Sequence, residues 1–274
     1  MPLVIDAHVH MSEMSGDKLY RYAKLNGLEY TLKEYLGLMD KLGIARGLLL
    51  SPLLEDGEPI PNELIIKLCQ QSNWKLLPVL TAEPLPASLD EAIALASRPK
   101  NKVSAFKIRL GYKPVFAYDP VFDRIYNYAE SHGLPVLFHT GDVAVEDGSL
   151  EHSHPLTLDK LANKRKALKI VACHFGNPWI EEAAELVYKH ENVYADLSGL
   201  FAGGGKYGQL YLETMARKIS EAVYYIGNAR KIIFGSDYPV SKPSDIMRLV
   251  ECLRISPEDR TDILGNNAER LFHI

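Results

Sequence analysis

The chain has 274 residues, 47% of them hydrophobic and 24% charged, which is the composition of an ordinary water-soluble globular protein. Its formal net charge of -4 gives no electrostatic reason to expect nucleic acid or an anionic membrane as a partner, and no apolar run approaches the roughly 20 residues that a membrane span needs. The three cysteines are odd in number and lie in apolar segments, so we expect reduced thiols and a cytoplasmic location.

The first ten residues contain the pattern on which the rest of the interpretation depends. Residues 3–9 predict a short buried strand, interrupted at every second position by Asp6, His8 and His10. Because side chains alternate along a strand, we expect these three to share one face. Buried imidazoles need a partner, and neutral imidazole is a common ligand of divalent metals. The alternative is a pair of hydrogen-bonded core histidines.

Further along the chain, short apolar strands alternate with amphipathic helices. Residues 11–30 predict a long loop, either a cover over a site or a surface excursion, and Thr31 begins a helix that ends at Gly43. The later strands are predicted at 47–51, 75–80, 103–110, 135–139, 169–174, 193–197 and 231–235. The later helices are predicted at 63–71, 89–97, 121–131, 158–163, 180–190, 209–226 and 244–253, with one or two more after residue 257.

Eight strand-helix units predict an α/β fold in which a parallel sheet closes on itself. We therefore expect residues 1–274 to form one (β/α)8 TIM-barrel domain with extra C-terminal helices. The nucleotide-binding glycine patterns of doubly wound folds are missing from the sequence. The glycine-rich stretch at 203–205 predicts a loop rather than a phosphate cradle, because no lysine-serine pattern follows it.

Several of the predicted strands end in polar residues. The active sites of such barrels lie at the C-terminal ends of the strands. The first strand ends in His8 and His10, the fifth in His139, the sixth in His174 and the eighth in Asp237. Three histidines and a carboxylate suit one divalent ion, with zinc expected and manganese or another transition metal as the alternative. We assign His8, His10, His139 and Asp237 as ligands. His174 would polarise a substrate carbonyl or move a proton, and Asp237 would also accept the proton of the attacking water.

Four further residues are candidates for substrate contacts. Lys107 and Arg109 share a face of the fourth strand, and the guanidinium fork of Arg109 matches a carboxylate. His154 follows the fifth strand and could reach over the barrel mouth, and Trp179 could wall the pocket or simply pack. A second metal held by His152 and His154 is not expected, because a loop holds ligands less well than a strand does.

Several motifs together resemble a known family over nearly the whole chain. They are Asp6–His10, Phe138–Gly141, His174–Trp179, Asn192–Ser198, Phe234–Pro239 and Gly265–Leu271. This set is similar to the amidohydrolase superfamily, and specifically to its amidohydrolase-related branch of TIM-barrel metal-dependent hydrolases and decarboxylases. The resemblance implies the same metal ligands and leaves His174 as either a ligand or a catalytic group. It also raises the alternative of a carbamylated Lys107 bridging two metals, but this branch is typically mononuclear, so we expect an unmodified lysine and one ion.

The expected function is hydrolysis of a small molecule. A metal-activated water would attack an ester, lactone or amide carbonyl of a carboxylate-bearing substrate. Two alternatives stay open at this point: a non-oxidative decarboxylase of an aromatic or enoic acid on the same metal site, and a catalytically silent metal-binding protein. The substrate's identity and the formation of a homo-oligomer are not encoded in any motif.

Overall fold

The computed structural model describes residues 3–202 and 206–274, so the predicted loop at 203–205 lies outside the described residues. Within these ranges, the strands are β1 Ile5–His10, β2 Arg46–Leu50, β3 Leu76–Thr81, β4 Ala105–Ile108, β5 Val136–Phe138, β6 Ile170–Ala172, β7 Val193–Asp196 and β8 Ile232–Ile233. The α-helices are α1 Tyr20–Leu25, α2 Leu32–Leu42, α3 Asn62–Gln71, α4 Pro86–Ala96, α5 Asp123–His132, α6 Leu150–Ser153, α7 Thr157–Lys164, α8 Ile180–Lys189, α9 Gly208–Ile226, α10 Pro243–Cys252, α11 Pro257–Thr261 and α12 Asn267–Phe272.

The strands form one parallel sheet in the order in which they occur along the chain. The sheet returns to its first strand after β8, because the Ala7 amide donates to the Phe234 carbonyl oxygen at 3.0 Å and the His10 amide to that of Tyr238 at 2.8 Å. The predicted (β/α)8 TIM barrel with C-terminal helices is therefore confirmed. None of the described helices combines the length and the apolar character that a membrane crossing requires.

The predicted helices and strands are present, with ends that shift by a few residues. The cap of α2 forms as expected, since the Thr31 hydroxyl accepts a hydrogen bond from the Glu34 amide at 3.2 Å and Gly43 ends the helix at φ 69°. The short helix α1 was not predicted within the loop at 11–30. It buries only Ala23 and so carries no apolar stripe from which a helix could be recognised.

The predicted phase of β1 is wrong. The pairing of β1 with β2 gains one residue between Asp6 and Val9, which is a β-bulge. Ile5 and Ala7 lie inside the barrel and Val9 packs outside it, whereas Asp6 points outward and accepts a hydrogen bond from Tyr35 of α2 at 2.9 Å. Asp6 therefore does not share a face with the two histidines, because the extra residue inverts the alternation between them.

The apolar core has two layers, one between the sheet and the helices and one inside the barrel. The inner layer is closed from below by Ala268, Leu271 and Phe272 of α12. The segment before this helix is held against the barrel by the Phe234 amide, which donates to the Ile263 carbonyl oxygen at 2.9 Å. The C-terminal helices are thus part of the barrel core, and the side-chain layer above them is left for the site.

Gly265 provides a test of this close packing. A Cβ atom at this position would overlap the carbonyl oxygen of Leu3, just before β1, so Gly265→Ala should lower the free energy of unfolding by about 1–3 kcal/mol. The matched variant Gly37→Ala in α2 meets nothing within 4 Å and should raise it by about 0.5–1 kcal/mol. Urea unfolding of both variants measures the two changes. Equal effects would contradict the described contact between the C-terminal segment and β1.

Candidate metal centre

Three of the four predicted ligands meet at the C-terminal end of the barrel. The Nε2 atoms of His10 and His8 lie 3.2 and 3.6 Å from Asp237 Oδ1, and one donor atom from each residue falls within 4.8 Å of the others. His8 is fully buried, and its Nε2 has no hydrogen-bond partner among the described residues. A buried imidazole nitrogen without a partner, aimed at a carboxylate and a second imidazole, fits a divalent transition metal.

Hydrogen bonds on the far side of each ring fix which nitrogen faces the centre. His8 Nδ1 lies 2.9 Å from Asp196 Oδ2 and 3.0 Å from Ser198 Oγ, and His10 Nδ1 lies 3.2 Å from the Leu50 carbonyl oxygen. Because a carbonyl oxygen and a carboxylate oxygen only accept, the proton of each neutral ring belongs on Nδ1. The Nε2 lone pairs of both rings then point to the centre, which is the arrangement that metal-binding histidines use.

The electrostatics of the two central groups match this arrangement. Burial lowers the pKa of His8 to about 4, even though the Asp196 carboxylate opposes that shift. Burial works against ionisation of Asp237, but the nearby imidazoles of His10, His174 and His8 hold its pKa below the ordinary range. Near neutral pH the site therefore contains a neutral His8 imidazole and an ionised Asp237 carboxylate, which are the protonation states that a metal ligand needs.

The turn after β8 places Asp237 in a left-handed conformation, with φ 64°. The Asp237 amide donates to the His8 carbonyl oxygen at 2.8 Å, and the preceding Ser236 amide donates to Asp6 Oδ1 at 2.7 Å. Burial raises the pKa of Asp6 to about 6, against the effect of these hydrogen bonds. Gly235 packs on His8, where a Cβ would approach the His8 Cβ to 2.9 Å. Asp6 thus supports the site from outside the barrel.

His174 also has a left-handed backbone, with φ 59° and ψ 20°. Its amide donates to Asp196 Oδ1 at 2.8 Å, and its Nδ1 lies 2.9 Å from Ser198 Oγ. Its ring lies between those of His8 and His139, with centroid distances of 5.0 and 4.9 Å. Its Nε2 is the ring nitrogen that remains on the pocket side, as the predicted catalytic role requires.

His139 is the predicted ligand that the structure does not bring into the group. Its Nδ1 lies 3.2 Å from His174 Nε2, and its Nε2 lies 2.7 Å from the Asp142 carbonyl oxygen. Burial, with the charges of His174 and Lys107, lowers its pKa well below the usual value, so the ring is neutral. It lines the same cavity as the other histidines, and its role as a fourth ligand stays a prediction.

The site opens into a cavity of about 250 Å³. Its walls include the four histidines, Asp237, both predicted cations of strand four, and a group of residues from the segment at 11–30. That group consists of Lys18, Leu19, Arg21 and Tyr22, which we call the cover. The interpretation of this segment as a cover over a site therefore agrees with its position.

Lys107 and Arg109 both reach the cavity, but protein atoms already contact each of them. Lys107 Nζ lies 2.9 Å from Cys173 Sγ and forms no ion pair within the described residues. Arg109 donates from Nη1 to Thr81 Oγ1 at 3.2 Å and to Glu83 Oε1 at 3.3 Å. Its Nη2 donates to the Ser51 carbonyl oxygen. The proposed anion contact of Arg109 would compete with these bonds.

His154 and Trp179 lie outside this cavity. Their rings pack against each other with centroids 4.6 Å apart, and both line a separate surface groove with Phe116 and Tyr118. Neither residue lines the central cavity, so the geometry gives no support to a substrate contact by either of them there.

Asp196 and Ser198 are the important residues of the site to which the sequence reasoning assigned no role at the metal. Asp196 contacts both His8 and His174. The available signal was the alternation of Asp196 and Ser198 at the end of β7, the same polar period that marks β1. Tyr112, whose ring centroid lies 5.0 Å from that of His139, had no such signal.

Asp196→Asn tests the orienting role of this carboxylate. The substitution keeps the shape of the side chain but removes the charge that fixes the His8 tautomer, so zinc affinity should fall by about 10–100-fold. Competition with a chromophoric chelator measures the affinity. The control Asp90→Asn alters an exposed carboxylate paired with Arg124 and should leave zinc affinity unchanged. An equal affinity of Asp196→Asn and the unmodified protein would contradict the assigned role.

Comparisons with solved structures identify similar barrels. An amidohydrolase from Burkholderia multivorans with bound zinc has a TM-score of 0.76 at 18% identity, with 99% of each chain covered. A probable 2-pyrone-4,6-dicarboxylic acid hydrolase from Acinetobacter baumannii with bound citric acid has a TM-score of 0.72 at 18% identity, again over 99% of each chain. The 5-carboxyvanillate decarboxylase of Sphingomonas paucimobilis has a TM-score of 0.71 at 16% identity over 100% of each chain.

At these identities the likeness establishes the fold alone. No curated protein matches the chain in sequence. A family model described as amidohydrolase, in contrast, matches residues 5–274, which is nearly the whole chain. That match agrees with the eight-stranded barrel and with the histidine and aspartate group at the ends of its strands. The chain belongs to the amidohydrolase family.

Proposed function

We propose that the protein is a metal-dependent hydrolase that cleaves an ester, lactone or amide bond of a small, carboxylate-bearing molecule. The observation that carries this proposal is the orphaned His8 Nε2, which is buried and aimed at Asp237 Oδ1 beside His10 Nε2. The bound zinc named for the similar Burkholderia multivorans protein supports the same choice of metal. Residues 1–274 would act as one domain with a single ion.

The chain supplies the ligands and the surrounding donors. His8, His10 and Asp237 would hold a divalent ion, and His139 would complete the set after turning from the Asp142 carbonyl oxygen. When bound, such an ion lowers the pKa of a coordinated water to about 7 and polarises a carbonyl oxygen. Three nitrogens and one oxygen are the donors that zinc accepts.

The proton steps fall to two side chains at the centre. Asp237 is ionised, and its Oδ2 faces the open side of Gly199, where a Cβ would come within 3.0 Å of this oxygen. It can take the proton of an attacking water at that oxygen while Oδ1 faces the histidines. His174 is held by Asp196 and Ser198, and its Nδ1 lies 3.1 Å from the Ser198 carbonyl oxygen, so the proton of the neutral ring is on Nδ1. In its protonated form the ring also carries a proton on Nε2, which can donate a hydrogen bond to the substrate carbonyl or pass to the leaving group.

A decarboxylase is the second candidate, because the same ligand group would serve it. The similar structures include 5-carboxyvanillate and 2,6-dihydroxybenzoate decarboxylases as well as a pyrone-dicarboxylic acid hydrolase. In that reaction, the cations Lys107 and Arg109 would orient a carboxylate of an aromatic acid. Their existing contacts with Cys173 and Glu83 would then be exchanged for contacts with the substrate.

Metal analysis tests the ligand assignment. We expect one zinc ion per chain in the purified protein and a loss of nearly all of it in His8→Ala and in Asp237→Ala, because each variant removes a donor that a three- or four-ligand site needs. His132→Ala, which alters an exposed histidine at the end of α5, is the matched control. Retention of zinc by both ligand variants would show that the ion binds elsewhere.

The products of turnover distinguish the two reaction classes. Incubation of the zinc-loaded protein with a small panel of lactones and aromatic acids should yield new carboxylates, measured by proton release, without CO2. Removal of zinc by a chelator should abolish turnover, and added zinc should restore it. Release of CO2 from an aromatic acid would contradict the proposed hydrolase and support the decarboxylase. Zinc binding with no turnover of any compound would support a catalytically silent metal-binding protein.

A further inference from the structure

The cations around the cavity differ in how they are already engaged. Arg109 is nearly buried, and its guanidinium donates to Thr81, Glu83 and Ser51. Lys107 is 2% exposed and contacts the Cys173 thiol. Both lie on β4 or directly after it, within the barrel. Their remaining capacity to bind an anion is therefore small, because a new contact would have to displace existing ones.

The two cations of the cover are free of such competition. Lys18 and Arg21 also line the cavity, and neither has an acidic partner within 4.0 Å in the part of the chain that the structure describes. Within the described ranges, the hydrogen bond and the cation–π contact of Arg21 both go to Tyr22: Nη2 donates to its hydroxyl at 3.0 Å, and the guanidinium carbon lies 4.7 Å from the ring centroid. Most of the five N–H donors of Arg21 stay available.

The cover is nevertheless held in place by a buried carboxylate. Asp17 is 3% exposed and accepts hydrogen bonds from the Ser12 hydroxyl at 2.6 Å, the Tyr30 hydroxyl at 2.9 Å and the Leu19 amide at 2.8 Å. The Lys18 amide donates to the Leu53 carbonyl oxygen at 3.0 Å. Buried polar networks of this kind fix the backbone that they join. The two free cations are thus carried by a backbone that is fixed over the cavity mouth.

The metal ligands and the cover share one cavity that is large enough for one small molecule. Its volume of about 250 Å³ corresponds to about eight waters at ~30 Å³ each, which leaves room for one substituted ring. His8, His10, Asp237 and the cover all line this one cavity. A molecule whose reacting group lies at the metal ligands is therefore enclosed together with the charged groups of the cover.

We infer that Lys18 and Arg21 of the cover select substrates that carry a second anionic group, distal to the reacting carbon. Arg21 binds this group through its planar fork and Lys18 adds a second positive charge. Arg109 instead shapes the wall of the cavity. The inference rests on the proposed function, because it takes the metal ligands as the place where the reacting end of the substrate lies.

Calorimetric titration of the zinc-loaded protein tests the inference with defined probes. Benzoate is the monoanion, and benzene-1,3- and benzene-1,4-dicarboxylate are the dianions. The unmodified protein should bind the better dianion about tenfold more tightly than benzoate, since one charged hydrogen-bonding contact is worth about that factor. Arg21→Gln should remove most of this preference and leave benzoate affinity unchanged. Lys24→Gln, with the same charge change on the same helix but outside the cavity, should keep the preference.

The outcomes separate this inference from the proposed function. Equal binding of dianions and benzoate, or an Arg21→Gln variant that keeps the full preference, would overturn the selective role of the cover while zinc and benzoate binding still support the site. Loss of the preference in Lys24→Gln as well would show a general charge effect and also overturn it. A protein that binds no zinc would overturn both proposals together.

Discussion

One extra residue in β1, between Asp6 and Val9, determines how this site is built. Without it, a regular strand that keeps Ile5 and Ala7 inside the barrel would place both His8 and His10 on the outer face with Asp6. The bulge turns both His8 and His10 inward and leaves Asp6 outside, where it binds the Ser236 amide and the Tyr35 hydroxyl. The same irregularity therefore orients two ligands and ties the turn that carries the third.

Two left-handed residues, which follow β6 and β8, complete the arrangement. His174 and Asp237 both have positive φ without being glycine, a conformation that costs about 1–3 kcal/mol at each position. Hydrogen bonds from the His174 amide to Asp196 and from the Asp237 amide to His8 offset this strain. In a regular strand, successive side chains would point alternately into and out of the barrel. The strained turns instead direct the side chains of both His174 and Asp237 towards His8 and His10.

The sequence was sufficient for the barrel and for most of the site, because apolar runs with helical or strand periods mark its elements and polar residues at strand ends mark the chemistry. Prediction from the sequence failed where the local backbone geometry departs from the regular repeat of a strand or a helix. The bulge places Asp6 on the face opposite to the predicted one, and α1 has no apolar stripe from which a helix could be predicted. The positions of His154 and Trp179 depend on the course of two different loops, after β5 and after β6, and the contact of Arg109 with Glu83 joins residues 26 apart in sequence just beyond β4 and β3.

Crystallography of the zinc-loaded protein, with anomalous scattering recorded at the zinc edge, tests the central claim most directly. The account predicts a single strong anomalous peak at the C-terminal end of the barrel, about 2.0–2.1 Å from the Nε2 atoms of His8 and His10 and about 2.0–2.2 Å from a carboxylate oxygen of Asp237. A peak at any other group of residues, or contact through Nδ1 of His8 with loss of its bond to Asp196, would contradict it.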